Sequence, residues 1–231
     1  MAALNKCASK LKKKSLGKPM KKTLLQVPAA LAVLVSLTGF SSLYAAEAGN
    51  VNDQRIIDAT EAEPGNWLSY GQTYKEQRFS QLTQINNNNV DELNLAWSKP
   101  IGDYNMRMQG TPLVVDGVMY VTNGWSVIYA LDATNGEEIW HYDPEVDRSY
   151  ARLACCGPAH NRGVAVYEGK IFVGTFDGRL IAVDAGTGEE IWDVDTWIPE
   201  GLGRFNITGA PRAAAGKVYI GQGSGESGHR R

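Results

Sequence analysis

The stretch Ala130-Leu-Asp-Ala-Thr-Asn-Gly-Glu-Glu-Ile-Trp140 recurs in nearly the same form as Ala182-Val-Asp-Ala-Gly-Thr-Gly-Glu-Glu-Ile-Trp192. Each copy runs from an apolar pair through an aspartate and a glycine to a tryptophan. Glycine adopts positive φ at little cost, so the middle of each copy is typical of a tight turn. A pattern that recurs at a fixed spacing indicates an architecture of stacked repeats.

Short apolar runs separated by glycine-containing turns surround both copies, and they predict antiparallel strands. The predicted strands are 111–115, 118–121 and 127–131 in the first unit, 164–167, 170–173 and 180–183 in the second, and 213–215 and 217–220 in a third. A fourth strand starts at each Glu-Glu-Ile-Trp. Four antiparallel strands in about 50 residues match one blade of a β-propeller. We therefore predict an all-β fold, a partial propeller of about two and a half blades.

The segments before the first unit are less regular. Residues 47–66 are polar and rich in turn formers, and we expect a loosely held segment there. Residues 90–97 alternate between apolar and polar at their end, which predicts a strand with one buried face leading into the propeller. We expect Trp140 and Trp192 to be packing residues that hold neighbouring blades together.

The N-terminal region is typical of a secretory signal. Every charged residue before Glu47 is a lysine, and an apolar run separates those lysines from the small residues around Ala46. We expect a signal region over residues 1–48, in which Met20 begins a leader of ordinary length, and a truncated propeller domain over residues 49–231. The apolar run is shorter than the ~20 residues of a spanning helix, so no stable membrane span is expected after cleavage. Residues 49–231 are acidic, which argues against a nucleic-acid partner.

Several motifs resemble the quinoprotein alcohol dehydrogenases, the methanol/ethanol dehydrogenase family of eight-bladed propellers that use pyrroloquinoline quinone (PQQ) and bound calcium. The repeat resembles the tryptophan-docking motif of that family, and Cys155-Cys156 followed by Asn161-Arg162-Gly163 resembles its vicinal disulfide and cofactor arginine. The stretches 207–211 and 223–226 resemble further parts of the cofactor site. The resemblance implies a periplasmic enzyme that oxidises small primary alcohols to aldehydes and passes electrons to a c-type cytochrome.

The resemblance also implies roles for individual residues. The implied cofactor-binding residues are Gln109, Cys155, Cys156, Arg162, Thr208, Gly223, Ser224 and Gly225, and the implied calcium ligand is Glu226. Arginine and threonine can donate to the rim oxygens of PQQ, and calcium takes carboxylate oxygens. No catalytic residue is assigned, since the matched positions do not include the family's general base.

Without the family resemblance, each of these residues also has a simpler explanation. The two adjacent cysteines could be free or could bind zinc, although adjacent cysteines do not have the usual zinc-ligand spacing. Arg162 could form a surface ion pair, Thr208 could be an ordinary strand residue, and Glu226 could be a solvated loop acid. The sequence also departs from the family, because Gln109 replaces a usual glutamate and Gly223 stands where methanol-oxidising members have serine.

Three functions are compatible with these motifs. The first is the N-terminal part of a periplasmic PQQ-dependent alcohol dehydrogenase that is incomplete, and inactive, as it stands. The second is a non-enzymatic propeller that acts as a scaffold or binding module. The third is a truncated gene product of the same family. The vicinal cysteines favour the dehydrogenase over the scaffold.

Overall fold

A computed structural model of the chain describes residues 48–102, 106–149, 158–196 and 206–223. The predicted signal region up to Glu47 lies outside the described residues. Helix α1 spans Asp53–Ala62 and a 3-10 helix spans Val90–Glu92. The strands are β1 (Arg107–Met108), β2 (Leu113–Val115), β3 (Val118–Thr122), β4 (Ile128–Asp132), β5 (Glu138–Tyr142), β6 (His160–Asn161), β7 (Ala165–Tyr167), β8 (Lys170–Gly174), β9 (Arg179–Asp184), β10 (Glu190–Asp195), β11 (Arg212–Ala214) and β12 (Lys217–Tyr219). No helix in these described ranges has the length and apolarity that crossing a membrane requires.

The described strands form the predicted blades. Strands β2 to β5 make one four-stranded antiparallel sheet in chain order, strands β7 to β10 make a second, and β11 pairs with β12 in a third hairpin. The turn between the first two strands of each unit has positive φ at both central positions: Asp116 and Gly117, Glu168 and Gly169, Ala215 and Gly216. Such turns follow the twist of the strands that they join. The prediction of a partial propeller is confirmed.

Trp140 joins the first blade to the second. The Trp140 indole Nε1 donates to the carbonyl of Ala185 at 3.1 Å, and its ring covers Gly188 in the turn of the second blade. Trp192 packs against Phe172, with ring centroids 5.8 Å apart. Trp140 thus holds neighbouring blades together as predicted. Phe172 belongs to the same blade as Trp192, so a contact of Trp192 with the next blade stays a prediction. Trp97, which the repeat did not identify, binds the first blade in the same way as Trp140 binds the second: its Nε1 donates to Ala133 O at 3.2 Å.

The prediction of a loosely held segment over residues 47–66 is wrong. Helix α1 occupies its centre, and the side chain of Asn52 caps the helix by accepting from Arg55 N at 2.9 Å. Ile56 and Ala59 lie one turn apart on the face that is buried against the blades. The helix was missed because an otherwise polar segment with two apolar anchors is stabilised by tertiary packing rather than by its own periodicity.

The segment around α1 acts as a strap across equivalent turns of the three units. Arg55 pairs with Asp116 of the first turn at 2.5 Å. The backbone of Val51 accepts from Glu168 N of the second turn at 2.8 Å. The carboxylate of Asp53 accepts from Ala215 N of the third turn at 3.0 Å. One short segment therefore fixes the spacing of three successive hairpins.

The prediction of a strand with a buried face over residues 90–97 is also wrong. The segment begins with the 3-10 helix, and Leu93 and Leu95 are 58% and 82% exposed. Their alternation suits a strand, but a strand needs a hydrogen-bonded neighbour, and no described strand pairs with these residues. Trp97 at the end of the segment anchors it to the first blade.

Candidate functional site

Arg162 and Thr208, which the sequence separates widely, are in direct contact. The Arg162 backbone N–H donates to Thr208 O at 3.0 Å, and the guanidinium Nη1 donates to Thr208 Oγ1 at 2.7 Å and to Thr208 O at 3.3 Å. The Arg162 carbonyl accepts from Thr111 N at 3.2 Å on the other side. The backbone and the side chain are therefore both fixed, and the guanidinium direction is set before any ligand binds.

Gln109 reaches the same place through a parallel strand pair. Strand β1 pairs with β6, with Arg107 opposite His160 and Met108 opposite Asn161. Gln109 directly follows β1 and Arg162 directly follows β6, so the two predicted residues stand at the same end of this pair. The Gln109 side chain is exposed.

Gly110 follows Gln109 and lies beside Gly163. A Cβ at Gly110 would make an ordinary 3.6 Å contact with Gly163 Cα but would lie 3.2 Å from Thr122 Oγ1, so the Thr122 side chain would have to move slightly.

Arg162 has no carboxylate partner within the part of the chain that the structure describes. Other arginines do: Arg212 pairs with Glu76 at 2.9 Å, and Arg179 pairs with Asp193 at 2.6 Å. The surface ion pair that the sequence left open for Arg162 is therefore not observed among the described residues. A half-buried guanidinium without a nearby counter-charge is suited to an anionic ligand.

A cavity of about 500 Å³ opens beside Arg162. Its lining residues include Gly209 and Ala210, which directly follow Thr208, together with Tyr70 and Arg212. The ring of Tyr70 is covered by Arg212, whose Cζ lies 4.2 Å from the ring centroid. Sequence reasoning missed Tyr70 and Arg212 as cavity residues, because no motif links positions so far apart in the chain.

Gly223 is the one predicted residue of the 223–226 stretch that the structure describes. Its N–H donates to Asn206 O at 2.8 Å, and a Cβ at this position would overlap the Asn206 side chain. A serine at this position would therefore require the Asn206 side chain to move.

The remaining predicted residues are not described. Cys155, Cys156, Ser224, Gly225 and Glu226 lie outside the described ranges. In those ranges, no group of three or more histidine, cysteine, aspartate or glutamate residues is placed to hold a metal ion. The disulfide and the calcium ligand therefore stay predictions.

Comparison with known proteins identifies the family to which the blades belong. The family described as "PQQ: Glucose/ethanol/alcohol dehydrogenase, beta-propeller domain" matches residues 67–195. The chain is 53% identical over 201 residues to quinohemoprotein alcohol dehydrogenase ADH-IIG of Pseudomonas putida, which covers 87% of this chain and 27% of that protein. It is 48% identical over 169 residues to "1-butanol dehydrogenase (cytochrome c)" of Thauera butanivorans, with 73% and 24% covered.

Solved structures show the same relationship. The structure of ADHIIG from Pseudomonas putida superposes with a TM-score of 0.72 at 53% identity, over 76% of this chain and 25% of that one. A europium-containing methanol dehydrogenase superposes with a TM-score of 0.67 at 40% identity, over 76% and 30%. The chain thus spans about a quarter of the length of these relatives. Because the family match covers more than half of the chain, the chain belongs to the PQQ-dependent glucose/ethanol/alcohol dehydrogenase β-propeller family.

Proposed function

We propose that this chain forms the N-terminal blades of a periplasmic dehydrogenase that oxidises primary alcohols to aldehydes with PQQ and Ca²⁺. The observation that carries the proposal is the contact of Arg162, which lines the cavity, with Thr208. It combines an oriented guanidinium that has no described counter-charge with a hydroxyl that is already ordered.

The hydrogen bond between these residues determines what each offers to a ligand. Arg162 uses Nη1 on Thr208, so its other N–H groups are left to make a forked contact with a carboxylate or a quinone oxygen. Thr208 Oγ1 accepts from Arg162, so its own proton points away and can be donated to a second ligand oxygen. A ligand with several oxygens around a flat ring, as PQQ has, fits this donor set.

The other predicted residues would complete the site. Gln109 would add a neutral hydrogen-bonding group near the same end of the β1–β6 pair. Cys155-Cys156, joined as a disulfide, would supply a rigid surface for one face of the ring, and Glu226 would hold the metal ion. When bound, PQQ accepts two electrons and two protons from an alcohol, and the metal ion polarises the reacting carbonyl.

The finer parts of the proposal concern location and partners. The lysine-rich leader supports export to the periplasm, and the name of the Thauera butanivorans relative supports a c-type cytochrome as electron acceptor. The europium named for one solved relative makes a lanthanide an alternative to calcium in that protein's site, so the metal is part of the test. We also propose that the 231 residues alone do not turn over alcohol.

The test uses the protein expressed from its full reading frame, freed of cofactor and then loaded with PQQ together with Ca²⁺ or Eu³⁺. We expect ethanol-dependent reduction of an artificial dye that needs both PQQ and a metal ion. Arg162→Ala should weaken PQQ binding, whereas Arg179→Ala removes a guanidinium that does not line the cavity and should not. No PQQ binding under any of these conditions would contradict the proposal and favour a scaffold.

A further inference from the structure

We infer that Asn161 is a positioning residue that fixes the Arg162 guanidinium for cofactor binding. The inference rests on the proposed function of the cavity. It concerns how that function is achieved, because Asn161 itself is fully buried and does not line the cavity.

The Asn161 carboxamide has a partner for each of its hydrogen-bonding positions. Its Oδ1 accepts from Thr122 Oγ1 at 3.0 Å and from Gly163 N at 2.8 Å. Its Nδ2 donates to Ser126 Oγ at 3.1 Å and to Gly174 O at 2.8 Å. The backbone N–H and the backbone carbonyl among these partners leave only one orientation of the amide. A buried amide with two donors and two acceptors satisfied is a rigid junction.

These partners belong to two different blades. Thr122 ends strand β3 and Ser126 follows it, both in the first blade, whereas Gly174 ends strand β8 of the second blade. Asn161 therefore joins the two blades at one point. The bond from Gly163 N to Asn161 Oδ1 spans Arg162. The backbone of Arg162 is therefore held between Asn161 and a residue that is hydrogen-bonded to the Asn161 carboxamide.

Arg162, the next residue, extends this junction to the segment that precedes the third hairpin. Arg162 N donates to Thr208 O, and Arg162 O accepts from Thr111 N, so the backbone that carries the guanidinium is held on both sides. Movement of Asn161 would consequently shift Arg162.

A purely structural role would also explain a buried asparagine, and it predicts a different result. If Asn161 only held blades together, loss of one of its bonds would lower stability without changing ligand affinity. If it acts through Arg162, loss of that bond weakens PQQ binding only while Arg162 is present. This dependence is a coupling that a double-mutant cycle measures.

The experiment uses the full-reading-frame protein in its PQQ-free form, titrated with PQQ in the presence of Ca²⁺ and followed by quenching of tryptophan fluorescence. Thr122→Val and Ser126→Ala each remove one partner of Asn161 with little change in side-chain volume. Thr196→Val is the matched control, because the Thr196 hydroxyl donates to Gly178 O at 2.6 Å in the second blade, without contact to Asn161. Each variant is also made in an Arg162→Ala background.

We expect Thr122→Val to raise the Kd for PQQ about tenfold, the effect typical of a residue that supports a ligand-binding group. Thr196→Val should lower the melting temperature comparably and leave the Kd unchanged. In the Arg162→Ala background, Thr122→Val should have no further effect. An unchanged Kd, or an equal effect with and without Arg162, would overturn the inference but leave the proposed function intact. An unsubstituted protein that does not bind PQQ would overturn both.

Discussion

Replacing Gly188 by alanine tests whether the turn that receives Trp140 stabilises the packing of one blade on the next. Gly188 has φ 75°, and a Cβ there would lie 2.6 Å from Trp140 Cε3. Ordinary carbon contacts are about 3.5–4.0 Å, so the indole must move by roughly 1 Å. That movement strains or breaks the 3.1 Å bond from Trp140 Nε1 to Ala185 O.

Gly117 is the matched control, because its φ is 86° and a Cβ on this residue would have no heavy atom within 4 Å. Gly117→Ala should lower the free energy of unfolding by about 1 kcal/mol, because alanine is strained at positive φ and no other contact is disturbed. Gly188→Ala adds the disturbed indole and its hydrogen bond, about 2 kcal/mol more. The difference corresponds to about 4–8 °C in melting temperature for a domain of this size.

Urea unfolding followed by far-UV circular dichroism measures both changes without relying on the disturbed tryptophan. The same pair of substitutions in a Trp140→Ala background provides the second check, because there Gly188→Ala should cost no more than Gly117→Ala. Equal losses for the two glycines in the native background would refute the idea that Gly188 is required by the ring.

The strap and the site give three further predictions. Asp53→Asn should lower the free energy of unfolding near pH 6, and the loss should shrink as the pH falls below 3.8, because bonds from Tyr74 and Ala215 N hold the pKa of Asp53 below that ordinary value and favour its charged form; a loss independent of pH would contradict this role. Cys155 and Cys156 should both resist alkylation in exported protein unless it is first reduced, and labelling of two thiols by mass spectrometry would exclude the disulfide. The 231-residue polypeptide given PQQ and Ca²⁺ should reduce no dye with ethanol, and turnover above a cofactor-only blank would show that it is sufficient.

The blades could be predicted because their signals are local. Each Gly-containing turn between two short apolar runs, such as Asp116-Gly117, specifies a hairpin by itself, and the repeated tryptophan specifies the stacking of hairpins. Helix α1 could not be predicted in this way, since Ile56 and Ala59 become anchors only when the folded blades supply the apolar core against which they are buried. Residues 90–97 show the opposite error: their alternation suits a strand, but a strand needs a neighbour, and no described segment provides one.

The site likewise contains residues that motifs identify and contacts that only the folded chain creates. Arg162 and Thr208 could be named from motifs, and their contact confirms that the two motifs meet. Their hydrogen bond, the cavity wall of Tyr70 and Arg212, and the junction at Asn161 depend on side chains brought together from distant strands. No periodicity or spacing in the sequence records those contacts.

A crystal structure of the PQQ-loaded protein with its metal ion tests the central claim most directly. The account predicts PQQ against Arg162 and Thr208, with a carboxylate or quinone oxygen within hydrogen-bonding distance of the free guanidinium N–H groups and another near Thr208 Oγ1. PQQ bound away from both residues, or Arg162 neutralised by a carboxylate such as Glu226 with no cofactor beside it, would contradict the account.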